Sequence, residues 1–235
     1  WTTTPWTLPT NFALAVGPKI EYSVAPSKDG SAKYLMATNL IGGYAKELGY
    51  ESAEELKAAI TKTYLGSELD GLTYERIFDF YANPELFDVA NAWQVLVADY
   101  VADTDGTGIV HQAPAYGEDD QNVCQAAGIP TYVSINERGQ FNSVIAPYQG
   151  QHVFDANKPI TQDLKTMGRL LRQASYEHSY PHCYRCKNPL IYKAVSSWFV
   201  ETTKLRDRML ELNQEINWVP EHTKNGSFGK WLENV

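Results

Sequence analysis

Long apolar runs, surplus basic charge and cysteine are all scarce in this 235-residue chain, which has only 3 cysteines. No apolar stretch approaches the roughly 18 residues that span a bilayer as a helix, and no basic leader precedes a short apolar segment. Neither membrane insertion nor secretion is expected. An odd cysteine count with a single C-x-x-C makes no secreted disulfide framework, so a cytoplasmic domain is expected. With 28 acidic against 20 basic side chains and a net charge of -8, the chain lacks the broad basic face that grips a nucleic acid duplex; any nucleic acid it meets is held locally or mainly by something else. Internal repeats and low-complexity tracts are missing as well. What is present, at 43% hydrophobic residues, suffices for one sizeable core, or for one core with a smaller appendage.

Periodicity sets the expected elements. Residues 12–16 and 19–24 read as strands, the second alternating Ile20, Tyr22 and Val24 on one face, with Gly17-Pro18 turning between them. With 33–37 they suggest a three-stranded antiparallel meander. Leu40, Ile41, Tyr44, Ala45 and Leu48 follow at helical spacing and stop at Gly49, while Ser52 and Glu55 form a capping box for a second helix carrying Leu56 and Ile60. Segments 76–81, 93–101, 108–113 and 129–135 are rich in β-branched and aromatic residues and predict strands; 119–127 predicts a short helix ending at Gly128. Helices are expected over 161–174, with Leu164, Met167, Leu170, Leu171 and Ala174 on one stripe, and over 197–216, with Leu205, Met209, Leu212 and Ile216. The expected fold is α+β, a mixed or barrel-like β-sheet core with surrounding helices. Residues 1–179 form its core and 180–235 an appendage, the character changing near Tyr180 in HSYPHCYRC.

Two stretches carry candidate chemistry. WTTTPWTLPTN sets Thr2, Thr3 and Thr4 between tryptophans, and β-branched residues hold few rotamers, which keeps their hydroxyls aimed. In DGTGIVHQAPAYGEDD, Gly106, Thr107 and Gly108 precede a strand at a spacing that lets backbone amides approach a ligand. His111 sits within that strand, Pro114 stops it, and Glu118, Asp119 and Asp120 open a helix whose dipole favours acids. By themselves these are also a β-rich segment, a satisfied strand histidine and capping carboxylates. Nothing resembles a Ser-His-Asp set, and Cys124 suits a small buried residue better than a catalytic thiol. Cys183-x-x-Cys186 is compatible with half a zinc site, a redox pair or a turn. Zinc asks for four ligands, and His182, directly preceding Cys183, fits a shared tetrahedron poorly, with His178 the other neighbour. No bound metal and no cofactor is expected. Tyr180, Tyr184 and Tyr192 nearby suit packing, with base stacking as the alternative.

Together WTTTPWTLPTN, GTGIVHQAPAYGEDD, HSYPHCYRC, PLIYKAVSSWFV and WVPEH with FGKWLEN resemble the isoleucyl-tRNA synthetases, running through the inserted editing domain and back toward the catalytic core. Leucine and valine relatives have an arginine after two threonines, where Thr4-Pro5-Trp6-Thr7 stands here. The HIGH and KMSKS elements that activate amino acids with ATP are absent, so this chain is not expected to make aminoacyl-tRNA. Because it begins inside a dense motif and closes on SFGKWLENV, it is expected to be a piece of a longer chain.

The resemblance implies post-transfer editing, the hydrolysis of valine esterified to tRNA(Ile). Valine lacks one methylene of isoleucine, a difference worth only about 1–3 kcal/mol in an apolar pocket, for which this enzyme family is the well-known example. It implies roles as well: Thr2, Thr3, Thr4 and Asp120 at the reacting ester, with Asp120 holding the α-ammonium. Asn11 and His111 would bind substrate, His111 walling the side-chain pocket, and Gly106, Thr107 and Gly108 would meet the terminal adenosine. Water would be the nucleophile, and some family members complete the C-x-x-C with upstream cysteines. The implied partners are the 3' CCA end of tRNA(Ile) carrying valine and the rest of the synthetase chain, whose other domains would hold the tRNA body. The alternative is a module that binds aminoacyl or nucleotide ends without hydrolysing them.

Overall fold

A computed structural model describes residues 1–175, 177 and 179–235; His178, the candidate neighbour of the C-x-x-C pair, lies outside the described residues. The backbone forms two compact units, Trp1–Ala194 and Val195–Val235, and Cys183 and Cys186 belong to the first.

In the first unit a 3-10 helix over Pro5–Thr10 leads into β1 (Ala13–Val16). β1 is the centre of a mixed three-stranded sheet, parallel to β5 (Gln94–Val97) and antiparallel to β6 (Ile109–Gln112), with Leu14 opposite both Val95 and His111. A second sheet is antiparallel throughout: β2 (Glu21–Pro26) lies between β3 (Lys33–Ala37) and β4 (Lys62–Leu65). The expected meander therefore holds for β2 and β3 but not for β1. ALAV does not alternate, and Ala13, Ala15 and Val16 are all buried, the signature of a central strand covered on both faces. Its partners come from distant sequence. Among the described residues the fold is mixed α+β, with two small sheets and no barrel.

Helices cover these sheets. α1 (Thr38–Ile41) runs on as a 3-10 turn over Gly42–Tyr44, and the segment ends at Gly49, whose φ of 85° suits a residue without a side chain. α2 (Ala53–Ala58) is capped by Ser52 Oγ, which accepts the Glu55 N–H at 3.1 Å, while the Glu55 carboxylate accepts the Glu51 N–H at 2.8 Å. Met36, Ile41, Tyr44, Leu48 and Leu56 are buried between these helices and the second sheet, each large aliphatic contributing about 1.5–3 kcal/mol. α3 (Glu118–Ala126) stops before Gly128 as expected.

α4 (Val153–Thr166) begins well before the expected 161–174 and ends sooner, leaving Leu170, Leu171 and Ala174 outside it. Pro159, a usual helix breaker, sits within it, and Gly168 at φ 68° closes it. Residues 76–81 and 129–135 are not strands. Their aromatic side chains enter the main core ring against ring: Phe12 on Tyr81 at 5.1 Å, Tyr81 on Phe87 at 4.7 Å, Phe87 on Tyr132 at 5.2 Å.

The second unit holds α5 (Arg206–Glu215) and α6 (Ser227–Glu233). Buried Asn213 ties the unit together, donating to the Lys224 carbonyl and accepting from Trp218 Nε1, both at 2.8 Å. The helix expected over 197–216 is confined to its C-terminal half, and Leu205, Leu212 and Ile216 stay exposed. No helix among the described residues is long and apolar enough to cross a membrane.

Candidate functional site

The threonine run does not lie on a strand edge. It enters the 3-10 helix at Pro5, whose fixed φ suits a first helical position, and Trp6 anchors that helix to α4 through its N–H on Asn157 Oδ1 at 2.9 Å. Thr4 O accepts both the N–H of Thr7 at 3.1 Å and the Thr7 hydroxyl at 2.9 Å. Thr2 Oγ1 accepts the Thr4 N–H at 3.0 Å and lies 3.3 Å from Thr4 Oγ1. The three hydroxyls are thus unequal: Thr2 and Thr4 hold each other, whereas exposed Thr3 has no hydrogen-bond partner for its hydroxyl among the described residues.

Behind the run lies buried His111, whose two ring nitrogens are both engaged. Nε2 is 2.9 Å from Thr7 Oγ1 and Nδ1 is 2.9 Å from Asn11 Nδ2. Because the Thr7 hydroxyl donates to Thr4 O, it accepts from His111, which puts the proton on Nε2. Asn11 agrees: its amide nitrogen also donates to Ala13 O at 2.9 Å, and its oxygen accepts the Tyr74 hydroxyl at 2.6 Å. Tyr74 thereby fixes the Asn11 amide, the amide fixes the histidine tautomer, and the tautomer fixes Thr7 under Thr4. Burial, with the positive chain terminus adding to it, lowers the His111 pKa to about 3, so the ring is neutral at ordinary pH.

The loop before β6 meets the threonines from the other side. Gly106 and Gly108 both adopt positive φ, 66° and 70°. A side chain at Gly106 would meet the Trp1 ring at 2.6 Å, and one at Gly108 would meet Ala37 Cβ at 2.4 Å. These glycines make room for the protein's own packing. The loop's carbonyls are held by tyrosines, Tyr44 Oη on Gly106 O at 2.8 Å and Tyr22 Oη on Gly108 O at 2.7 Å. Between loop, threonines and α4 opens a cleft of about 720 Å³, whose wall includes Thr2, Thr3, Tyr44, Gly106, Thr107 and Leu164. Of the sequence-predicted residues the structure brings Thr2, Thr3, Gly106 and Thr107 to this wall. Thr4, Asn11, Gly108, His111 and Asp120 are not on it, so His111 backs the run of threonines rather than facing the cleft.

Asp120, in the first turn of α3, accepts the Ala113 N–H at 2.8 Å, two residues beyond His111 along the chain. Burial raises its pKa above the usual carboxylate range, opposed by the Ala113 N–H and reinforced by Asp119. Among the described residues no cation lies within salt-bridge reach of it. Cys124 is buried and its thiol is pushed up to about 12, the state of a packing residue. The Cys183 thiol is lowered by the backbone N–H groups of Cys186 and Arg185 in a turn closed by Lys187 N–H on Cys183 O at 2.9 Å. No group of three or more His, Cys, Asp and Glu among the described residues is placed to hold a metal. Sequence reasoning missed Tyr74, an aromatic in a polar loop that no periodicity marks, and Tyr44, read only as a core position.

The model for class I tRNA synthetases (I, L, M and V) matches residues 13–235. The chain is similar to the isoleucine–tRNA ligase of Leifsonia xyli subsp. xyli, 57% identical across 99% of its length, and to that of Tropheryma whipplei, 52% identical across all of it. It spans about a fifth of these curated relatives, 22% of each. Among solved structures it is similar to GlLeuRS-CP1, with a TM-score of 0.52 and 15% identity over 76% of this chain and 82% of that one. The Plasmodium falciparum cytosolic leucyl-tRNA synthetase editing domain matches with a TM-score of 0.50 and 13% identity, over 71% and 75% of the two chains. At these identities the likeness shows a shared fold, that of synthetase editing domains. A match over nearly the whole chain, to relatives four to five times its length, settles its kinship: the chain belongs to the class I tRNA synthetases of the isoleucine, leucine, methionine and valine group.

Proposed function

We propose that this chain is the proofreading part of an isoleucyl-tRNA synthetase and hydrolyses valine wrongly esterified to tRNA(Ile). The observation that carries the reading is the placement of Thr3, with its unshared hydroxyl, on the same cleft wall as Gly106 and Thr107. An ester on a 3'-terminal adenosine offers a ribose hydroxyl and a carbonyl as hydrogen-bond partners for that group, while the loop receives the nucleoside. The resemblance gives Asp120 the substrate ammonium. Because Asp120 lies off the cleft wall, in the first turn of α3, this role has the acyl end reach past the cleft toward α3. There a carboxylate lifted in pKa by burial, and without a cation among the described residues, gains most from a charge-assisted bond. Neutral His111 works through Thr7, keeping the threonines in place, and the cleft they bound is the sieve that admits valine and refuses isoleucine. Water attacks the acyl carbon, the ester oxygen leaves as the ribose hydroxyl, and free valine and uncharged tRNA result.

The test is deacylation of Val-tRNA(Ile) by the full-length synthetase and by Asp120→Asn, which keeps an acceptor for Ala113 N–H but removes the charge. Hydrolysis is expected to fall about a hundredfold or more in the variant, with isoleucine activation unchanged. Equal rates for the two proteins would remove Asp120 from its role. Hydrolysis by neither above the buffer rate would favour the binding-only module.

A further inference from the structure

The cleft wall carries two cations that neither the resemblance nor the reaction above uses. Arg169 and Arg172 follow α4, in the stretch expected to continue it. Arg169 donates to the Arg76 carbonyl at 3.2 Å and pairs with Glu75. Arg172 donates to the Gly43 carbonyl at 3.2 Å, lies 3.3 Å from the Glu47 carboxylate and covers the Tyr44 ring at 5.2 Å. Their side chains are 36% and 46% exposed. A guanidinium has five N–H donors in a rigid fork, so these contacts leave donors on each. Among the described residues the one acidic side chain on the wall is Asp105, whose Oδ1 accepts the Gly106 N–H at 2.7 Å. Glu75 and Glu47 stand beside the arginines but off the wall, so the wall itself presents two guanidinium groups and one carboxylate.

We propose that Arg169 and Arg172 form a phosphodiester subsite, holding the backbone of the single-stranded nucleic acid end whose last nucleoside reaches Gly106 and Thr107; this rests on the proofreading reading for the identity of that end. Planar forks match phosphate oxygens two at a time. The Glu75 carboxylate is 82% exposed, so a phosphate displaces it from Arg169 while water takes up the freed carboxylate. Arg172 is joined to the loop as well, because the Tyr44 it covers donates to Gly106 O. Phosphate held there and nucleoside held by the loop thus reinforce each other.

The test is binding of a labelled single-stranded RNA hexamer ending in CCA, and separately of adenosine, to the full 235-residue chain across a salt series. For single strands log K falls with log salt by about 0.7 per phosphate contacted. The double variant R169Q/R172Q is expected to weaken RNA binding about tenfold or more and to flatten the slope by about 1.4, two contacts' worth, with adenosine binding unchanged. Glu75→Gln is expected to tighten RNA binding by freeing Arg169. An unchanged slope in R169Q/R172Q overturns the proposal, as does parallel loss of RNA and adenosine, the mark of a collapsed cleft, or no RNA binding by the unaltered chain. A slope that responds to the arginines in a chain that hydrolyses nothing leaves the subsite standing and sinks only the proofreading reading.

Discussion

Thr3 offers the sharpest separation of function from stability. Its hydroxyl is exposed on the cleft and bonded to nothing among the described residues, so Thr3→Val keeps the shape and the rotamer restriction while removing one donor and acceptor. Folding stability is expected to stay within about 0.5 kcal/mol, whereas hydrolysis of Val-tRNA(Ile) falls about tenfold, the worth of one hydrogen bond to substrate. Thermal unfolding and single-turnover deacylation on the same preparation check both halves. Tyr74→Phe is the opposite case. It strips the donor from buried Asn11 Oδ1, an unmet acceptor costing about 1–3 kcal/mol, and frees the amide to turn. The nitrogen NMR shifts of His111, expected to show a proton on Nε2 in the unaltered chain, should then report a mixture of tautomers. A ring that keeps its single tautomer would show that Thr7 alone sets it. The histidine was visible in the sequence as a residue inside a strand, but its partners were not, because Thr7, Asn11 and Tyr74 come from two distant segments that only the fold joins.

At the scale of elements the loop before β6 does most to shape the cleft. Gly106 is required twice, by its φ of 66° and by the Trp1 ring that would lie 2.6 Å from any Cβ. Gly106→Ala therefore costs about 1–2 kcal/mol for the left-handed backbone and displaces the indole as well. The melting temperature is expected to drop and hydrolysis with it; an alanine variant with native deacylation would mean that Trp1 is no part of the wall. The same loop shows what patterning conveys. G-x-G before a strand marked a backbone that needs glycine, and the structure adds a reason that patterning does not carry, the close packing of Trp1 on Gly106 and of Ala37 on Gly108. Short elements with local punctuation were legible: β2, β3, α2 with its Ser52 cap, and α3 ending at Gly128. Where aromatics were dense, at 76–81 and 129–135, β propensity misled, because ring-on-ring burial met the same apolar demand without a ladder. α4 was placed too late because the stripe from Leu164 to Ala174 suggested a helical face, whereas the buried face of the helix includes Val153, Ala156, Ile160 and Leu164 and tolerates the one donor missing at Pro159.

For the molecule as a whole, two electrostatic effects give opposite forecasts on acidification, and their magnitudes decide between them. A chain of net charge -8 repels itself, and protonating exposed carboxylates relieves that repulsion, which by itself raises stability as pH falls below neutral. His111 acts the other way. Its folded pKa is about 3 against an ordinary 6.5, so below pH 6.5 the unfolded chain takes up a proton that the folded one refuses. The stability due to neutral His111 is complete above about pH 6.5 and is lost as pH falls toward 3, with a slope of up to about 1.4 kcal/mol per pH unit. Asp120 offsets a little of this, because its raised folded pKa gives a contribution present at acid pH and lost as pH rises through that value. Diffuse repulsion among solvated charges is screened over about 8 Å at physiological salt, whereas a fully buried ring is not. The histidine should therefore win. The melting temperature is expected to fall steadily between pH 6.5 and 4, and to do so at high salt as well as low. His111→Gln, which can still bridge Thr7 and Asn11 but takes no proton, should start lower at pH 7 and lose that descent. Parallel curves for the two proteins would mean that the acid response belongs to the surface and that the histidine behind the threonines is more open to water than its burial implies.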